Sequence, residues 1–405
     1  MRKYKREEVF RDPIYGYVSI KYPFIKELID TSVFQRLRRI RQLSGVCMIF
    51  HGAEHSRFTH SLGVYQLANR FILIPKINAE LKTIRNKLLV LTAALLHDIG
   101  HGPYSHAFES IFLVNHEKIG ANIIRSNQEI TNILDRIDVE FKNDVASIIA
   151  KEHKFPLIEQ LISSQLDVDR LDYLERDSYH TGAAYGHVDI DRLTRVITVH
   201  KGKIVFKESG IYAIENYLIS RYHMYWQVYY HPKARAYETI LEKIYLRIKD
   251  LIQFNYDFKI DIDPLKAILL NPHDLDNYYL IDDYYMNGLI AHLSNAKDHI
   301  LRELCHDFLN RRIWSYLDYN QANKKKIHAI KNYYNDNQKY YTSTSKVEQS
   351  AYKLNPEDLA QEIMILKKNN TVVPLSGYSA IIDGLVSTSI KEDNKFIYKK
   401  IENER

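Results

Sequence analysis

Leu88-Leu89-Val90-Leu91-Thr92-Ala93-Ala94-Leu95-Leu96-His97-Asp98-Ile99-Gly100-His101-Gly102-Pro103 is the stretch on which the reading of this chain turns. From Leu88 to Leu96 it is apolar except at Thr92, which predicts a buried helix. It is too short to span a bilayer, which takes about 20 residues. Gly100-His101-Gly102-Pro103 then stops it. His97 and Asp98 are thus carried into the interior at the end of an apolar helix. A buried ionised Asp is costly unless it is paired or bound to a metal. Neighbouring helical side chains diverge by about 100°, so one ion would lie between two directions and take further ligands from other helices. His60 and Asp169 are the natural suppliers. Imidazole with carboxylate suits Mn, Fe, Ni, Co or Zn better than Ca. Taken alone, His-Asp also fits a buried histidine bonded to its neighbour, and His60 a satisfied core residue.

The chain has 405 residues, two or three domains' worth at ~150 residues each. With 45% apolar and 26% charged residues it can bury a large core, which excludes wholesale disorder. Lys+Arg exceed Asp+Glu by 56 to 50; the formal +6 suits phosphate handling and falls well short of a polyanion-coating surface. Two distant cysteines, Cys47 and Cys305, exclude a disulfide scaffold or a Cys-based zinc site. Met1 to Glu8 has no apolar leader region, so the expectation is a soluble, cytoplasmic protein without membrane contact. Only 14 Gly and 10 Pro interrupt the chain, which favours long helices.

Residues 9–20 read as a turn with short extended flanks. A helix begins at Phe24, and Phe34, Leu37, Ile40 and Leu43 continue the helical spacing, with Gln35, Arg36, Arg38, Arg39 and Arg41 on its polar face. Further helices are expected over Arg57–Phe71, Leu88–Asp98, Phe141–Lys151, Ile158–Ser163 and Leu166–Tyr179. Val199–Phe206 suggests a hairpin. Tyr212–Lys249 reads as helix broken near His231-Pro232, and 264–320 as helical again. Tyr340–Ser350 is polar. Glu362–Leu375 reads as a hairpin with an Asn-containing turn. The expected fold is mainly α: a helical core with an extension over 1–324 and a small α+β C-terminal module over 325–405.

Eighteen histidines are more telling than the charge balance, because they cluster. Ala53-Glu54-His55-Ser56-Arg57-Phe58-Thr59-His60-Ser61-Leu62-Gly63-Val64, the string His97–His106, and Asp167-Val168-Asp169-Arg170-Leu171-Asp172-Tyr173 together resemble the HD-domain phosphohydrolases. Within them the resemblance is to the deoxynucleoside-triphosphate triphosphohydrolase branch, from about Val9 to about residue 245.

The resemblance implies an HD-domain helical core and a metal held by His60, His97, Asp98 and Asp169, the set that the residues themselves suggest. It implies a metal that polarises an α-phosphoryl group and activates water, and release of intact triphosphate with a deoxynucleoside. Mg would accompany the nucleotide phosphates. The catalytic histidine falls on His116, with Glu109 as its carboxylate partner where vertebrate members have Asp. Such a partner orients the ring for general acid work on the leaving 5′ oxygen. His101 and His106 match positions lining the phosphates. Arg57 matches an α-phosphate contact, and Gln42 and Leu43 the sugar and base contacts. Asp169, Tyr173 and Asp177 share a helix face at i, i+4 and i+8; the last two would meet the sugar. Arg170 stands where the family has a phosphate-binding Lys. The terminal-phosphate arginine of vertebrate members aligns with Gln227, a departure for which Lys233 and Arg235 are nearby cations.

Asp30, Gln35 and Arg38 match residues that read a guanine nucleotide at an activating pocket between subunits. The resemblance therefore implies a dGTP or GTP activator and a homo-oligomer, dimer or tetramer; the same residues also fit a salt-bridged helix surface. Two other functions fit the sequence: the same metal site acting on a nucleoside monophosphate or other phosphoester, and a single-stranded nucleic-acid binder or nuclease using the 36–41 arginines and the tyrosines.

Overall fold

Asp12, Pro13 and Gly16 make the first turn. The Asp12 carboxylate accepts the Ile14 and Tyr15 N–H groups at 2.8 and 3.0 Å, and Gly16 takes φ +73°. Strands β1 (Glu8–Asp12) and β2 (Gly16–Ile20) therefore close as an antiparallel hairpin, with Glu8 facing Ile20. This computed structural model describes residue 4 and residues 7–349, 362–387 and 391–401.

Pro23 opens helix α1 (Pro23–Asp30), which buries Phe24, Ile25, Leu28 and Ile29. The next stretch departs from expectation. Ser32–Gln35 is a single α-turn, Arg36–Arg39 winds as a 3-10 helix, and Ile40 is extended. Arg36 does not lie on a polar face; it is 1% exposed. Apolar residues three apart are as compatible with a 3-10 turn as with an α-helix.

Helices α2 (Arg57–Phe71) and α3 (Ile84–Leu96) pack against each other at the centre. Thr83 caps α3 by accepting the Asn86 N–H at 3.1 Å, and every residue from Leu88 to Leu96 is buried. Around this pair lie α4 (His106–Phe112), α5 (His116–Ser126), Phe141–Ile149, Pro156–Ile162 and α6 (Val168–Thr181). Asp167 caps α6, and Gly182 at φ +73° ends it.

The expected hairpin is β3 (Ile197–His200) with β4 (Lys203–Lys207). Helix α7 (Ile211–Met224) passes into a π-helical turn over Tyr225–Tyr229 before α8 (Pro232–Gln253) begins at the expected Pro232 break. Helices Asp263–Leu270, Leu275–Tyr278, α9 (Asp283–Leu293) and α10 (His299–Leu309) follow. The run expected to be helical to 320 instead ends in β5 (Ser315–Asp318), and the polar Thr342–Gln349 is a strand, β6. The 362–375 hairpin is present as β7 (Met364–Leu366) and β8 (Val372–Pro374). The last strand, β9 (Lys391–Tyr398), lies between β5 and β6, and β7 runs parallel to β4, so both sheets straddle position 325. One apolar core runs from Val18 to Ile397. The fold is thus mainly helical with a small α+β C-terminal part. Among the described residues no helix is long and apolar enough to cross a membrane.

Candidate metal centre and active site

The end of α3 presents His97 with its Nδ1–H donating to the Ala94 carbonyl at 2.9 Å, which leaves Nε2 as the open nitrogen. On α2, His60 donates Nδ1–H to Asp172 Oδ2 at 2.8 Å, again leaving Nε2 open. Those two Nε2 atoms lie 3.2 Å apart. Asp169, in the first turn of α6, brings Oδ1 to 3.0 Å from His60 and 3.6 Å from His97. Asp98 brings Oδ1 to 3.3 Å from His97 and Oδ2 to 3.7 Å from His60.

His60, His97 and Asp169 thus offer donor atoms around one point, and Asp98 borders it, grouped also with His101 and His116. Their separations are those of donors that share an ion bound at about 2.0–2.2 Å. The electrostatics agree. Burial opposes charge on His60, yet Asp169, Asp172 and Asp98 push it up to about 10, and Asp98 and Asp169 raise His97 against the same penalty. Asp98, despite burial, is held well below the usual carboxylate range by Arg57, His97 and His101. The cluster is built to hold positive charge, and the donor set fits a divalent transition metal.

Support extends deeper. Asp172 also takes Arg176 Nε and Nη2 at 2.8 and 3.0 Å, and Arg176 Nη1 reaches Asp12 at 2.9 Å. Asp172 and Arg176 are fully buried. They approach so closely to Gly63 that a Cβ there would sit 1.8 Å from Asp172 Oδ1. His60, which could hold a metal, is therefore oriented by a chain ending in the N-terminal hairpin. The Asp172–Arg176 i, i+4 spacing was the signal available for this pair; nothing local pointed to Asp12.

Arg57, at the start of α2, donates Nη1–H to Asp98 Oδ2 at 2.5 Å and Nε–H to Ser105 Oγ at 2.8 Å. Glu109 accepts both the ring Nδ1–H of His116 and, at 3.1 Å, its backbone N–H. Nδ1 of His116 is thereby committed to Glu109. The His116 and His101 rings stack at 3.9 Å, and burial, Arg57 and His116 together hold His101 far below its ordinary pKa, as neutral imidazole. The His106 side chain lies outside the described residues.

On the other side of the cluster, Gln42 Oε1 is buried without a partner, and Leu43 beside it is buried. Tyr173 meets Tyr229 edge to face. Asp177 is already engaged, accepting from His55 Nε2 at 2.7 Å and Tyr229 OH at 2.8 Å. Arg170 sits 3.3 Å from Asp167, with Nη1 buried and unpaired. Arg221 on α7 donates to Gln165 at 2.9 Å, with Nε buried and unpaired. Both guanidinium groups act on Tyr173 and Tyr217, so they share one neighbourhood. Arg221, and not position 227, supplies the second cation there; its signal was a buried arginine inside an aromatic-rich helix. Arg235 is no substitute, because Ser345 and Asp393 take it up. Lys233 lines a different cleft, of about 630 Å³, with Arg311, Arg312, Lys399 and Lys400. At the remaining predicted set, Arg38 donates to Gln35 at 2.8 Å and covers the Phe58 ring, while Asp30 pairs with Lys26.

The sequence model of the HD domain matches residues 57–177, and that of the HD associated region matches 188–258. The uncharacterised protein YwfO of Bacillus subtilis is 39% identical over 98% of this chain and 93% of its own length. This chain belongs to the HD-domain phosphohydrolase family. A phosphohydrolase of Bacteroides thetaiotaomicron has the same fold, with a TM-score of 0.86, 27% identity, and coverage of 98% of this chain and 100% of its own. The deoxynucleoside triphosphate triphosphohydrolase SAMHD1 of Gallus gallus is 28% identical over 78% of this chain and 57% of its own length. The HD domain is a metal-dependent fold, and the matched segment of this HD phosphohydrolase contains His/Asp groups that could hold a metal.

Proposed function

We propose that the chain hydrolyses deoxynucleoside triphosphates to deoxynucleoside and triphosphate. The observation that carries the reading is the pairing of the His60, His97 and Asp169 cluster, bordered by Asp98, with buried, unpaired groups of both kinds: the Arg170 and Arg221 guanidinium nitrogens for phosphates and Gln42 Oε1 for a nucleoside. Unpaired buried polar atoms are costly, and a bound ligand would satisfy them. The triphosphohydrolase relative supports the same substrate class.

His60, His97, Asp98 and Asp169 would hold a divalent metal of the Mn, Fe, Ni, Co or Zn group. When bound it supplies Lewis acidity toward the α-phosphoryl oxygen and an acidified water. Arg57, braced between Asp98 and Ser105, fixes the α-phosphate. Water adds to the α-phosphorus, the bond to the 5′ oxygen breaks, and His116 gives its Nε2 proton to that oxygen. Glu109 keeps the His116 ring aimed. Neutral His101 lines the phosphates, and Arg170 and Arg221 take the remaining phosphate charge, which Mg would share. Gln42, Leu43 and Tyr173 enclose the nucleoside. Asp177 acts through the Tyr229 hydroxyl that it orients.

Asp30, Gln35 and Arg38 are assigned to a guanine nucleotide activator in a homo-oligomer. The experiment is incubation with each dNTP plus Mn or Mg, with and without dGTP, resolving all products. Deoxynucleoside with intact triphosphate is expected. Orthophosphate alone would move the activity to a phosphomonoesterase, and shortened oligonucleotides in a parallel incubation to a nuclease.

A further inference from the structure

Segment 278–287 lies outside both matched regions, yet it reaches back into the site. The Tyr278 hydroxyl donates to the Gly100 carbonyl at 2.7 Å. The Ile281 carbonyl accepts Arg36 Nε–H and Nη2–H at 3.0 and 2.6 Å, and Arg36 Nη1–H continues to the His101 carbonyl at 2.8 Å. Asp283 Oδ1 accepts the Tyr104 N–H at 2.8 Å, and its Oδ2 accepts the Arg41 N–H at 2.9 Å. The Tyr104 hydroxyl returns to Asn287 at 2.8 Å.

These bonds converge on two places. One is the loop Gly100–Ser105, which carries His101, leads into α4 with Glu109, and supplies the Ser105 hydroxyl to Arg57. The other is the strip 40–42, where Arg57 N–H donates to the Ile40 carbonyl and Gln42 N–H to the His55 carbonyl at 2.9 and 3.0 Å. Tyr104 and Ser105 have φ of +57° and +51°, a region that residues with a Cβ occupy only when their surroundings impose it. The loop is also held by the His101 N–H bond to the Asp98 carbonyl at 3.1 Å, a Ser105 N–H bond to Gly102 and the Ser105 link to Arg41 O at 3.3 Å. Asp283 itself is 1% exposed. Its burial raises its carboxyl pKa to about 6, held from rising further by the Arg41 and Tyr104 N–H bonds.

We infer that Asp283 is a positioning residue for the hydrolysis: by accepting the Tyr104 and Arg41 N–H groups on its two oxygens it locks the loop that carries His101 to the strip that aligns Arg57 and Gln42. Arg36 and Tyr278 fasten the same loop at His101 and Gly100. The assignment rests on the reading of His101, Glu109, His116 and Arg57 as the reacting and binding groups. It places a residue beyond the matched domains in control of the site's geometry.

The test uses the full chain with Asp283→Asn and, as a milder change, Tyr278→Phe. Asn offers only one acceptor oxygen and turns an N–H toward the second backbone N–H. A displacement of about 1 Å in the loop lowers kcat on the order of 10²-fold. The bound Mn should stay within about twofold, since no ligand is touched, and KM should change less than kcat, since Gln42 keeps its N–H bond to the His55 carbonyl. Tyr278→Phe should show the same pattern, several-fold smaller. Backbone amide exchange over 101–106 should accelerate in both variants, and Asp283→Glu should recover part of the kcat. Wild-type kcat in Asp283→Asn, loss of Mn in step with kcat, or unchanged exchange over 101–106 would overturn the proposal. Should the wild-type chain hydrolyse no dNTP, the proposed function fails, and the exchange measurement by itself decides whether Asp283 holds the loop.

Discussion

Asp172→Asn tests the idea that a buried charge chain orients the metal ligand His60. Asp172 is fully buried and takes three donors: His60 Nδ1 and both Arg176 nitrogens. Asn keeps the shape and one acceptor, but it removes the charge and points an N–H at a donor. Arg176 is left with Asp12 as its sole ion partner among the described residues. Burial raises the Asp172 pKa, but Arg176 and His60 overcome it and hold the carboxyl down to about 2. Against about 3.9 for a free aspartate, that is worth about 2–3 kcal/mol of stability. Removing one partner of a buried pair costs about 3–5 kcal/mol, so the expected loss in metal-free protein at pH 7 is about 3 kcal/mol. Because the native carboxyl binds its proton only at lower pH than the unfolded one, its stabilisation is full above about pH 5. It disappears as the pH falls from about 4 to about 2, and wild type and variant should converge there. Metal affinity should fall about 10–100-fold as the His60 ring loses its orientation. Urea unfolding across pH and a competitive metal titration measure both. An Asn variant with wild-type unfolding free energy and metal affinity at pH 7 would refute the reasoning.

His60→Ala or Asp98→Ala should lose the metal and all activity while keeping the wild-type far-UV circular dichroism spectrum; full turnover at unchanged metal content would remove either residue from the ligand set. His116→Ala should retain the metal and lose about 10²–10⁴-fold in kcat, read under single-turnover conditions. Arg221→Leu should weaken nucleotide triphosphate binding about 10–100-fold, the value of a charged hydrogen bond, with little effect on free nucleoside. Equal losses for both would assign Arg221 to packing.

The clustering of His60, His97, Asp98 and Asp169 was legible because burial and chemistry coincide on them. An apolar run that ends in His97-Asp98 leaves few physical ways to accommodate a carboxylate. α2, α3 and α6 follow from apolar spacing, capping and a terminal Gly. What local sequence hides is partnership across distance. Thr342–Gln349 reads as polar because its strand partner is Lys391–Tyr398, and β5 has the same partner. Gln227, the departure for which Lys233 and Arg235 were the nearby cations, lies within the π-helical turn, and the guanidinium group that shares a neighbourhood with Arg170 is Arg221. Spacing counted at 3.6 residues per turn misplaces side chains across such a turn. Arg36 was read as a surface charge because its three carbonyl-directed bonds reach residues far along the chain.

The buried carboxylates explain why the site draws on so much of the chain. Asp98 ties the end of α3 to Arg57, Asp172 ties α6 to His60, Asp12 ties the N-terminal hairpin to Arg176, and Asp283 ties α9 to Tyr104 and Arg41. Each link joins segments far apart in sequence. Each also imposes a burial cost that its partners must offset, as the raised pKa of Asp283 shows. Polar side chains in these places are poor choices for stability alone, since apolar residues of similar volume pack at lower cost. They are good choices for fixing directions, because a carboxylate that accepts two or three donors allows little rotation. The matched segment 57–177 contains the cluster, but the residues that aim its side chains come from both sides of that segment. The geometry of the cluster therefore draws on the hairpin and the helical extension as well as on the matched segment.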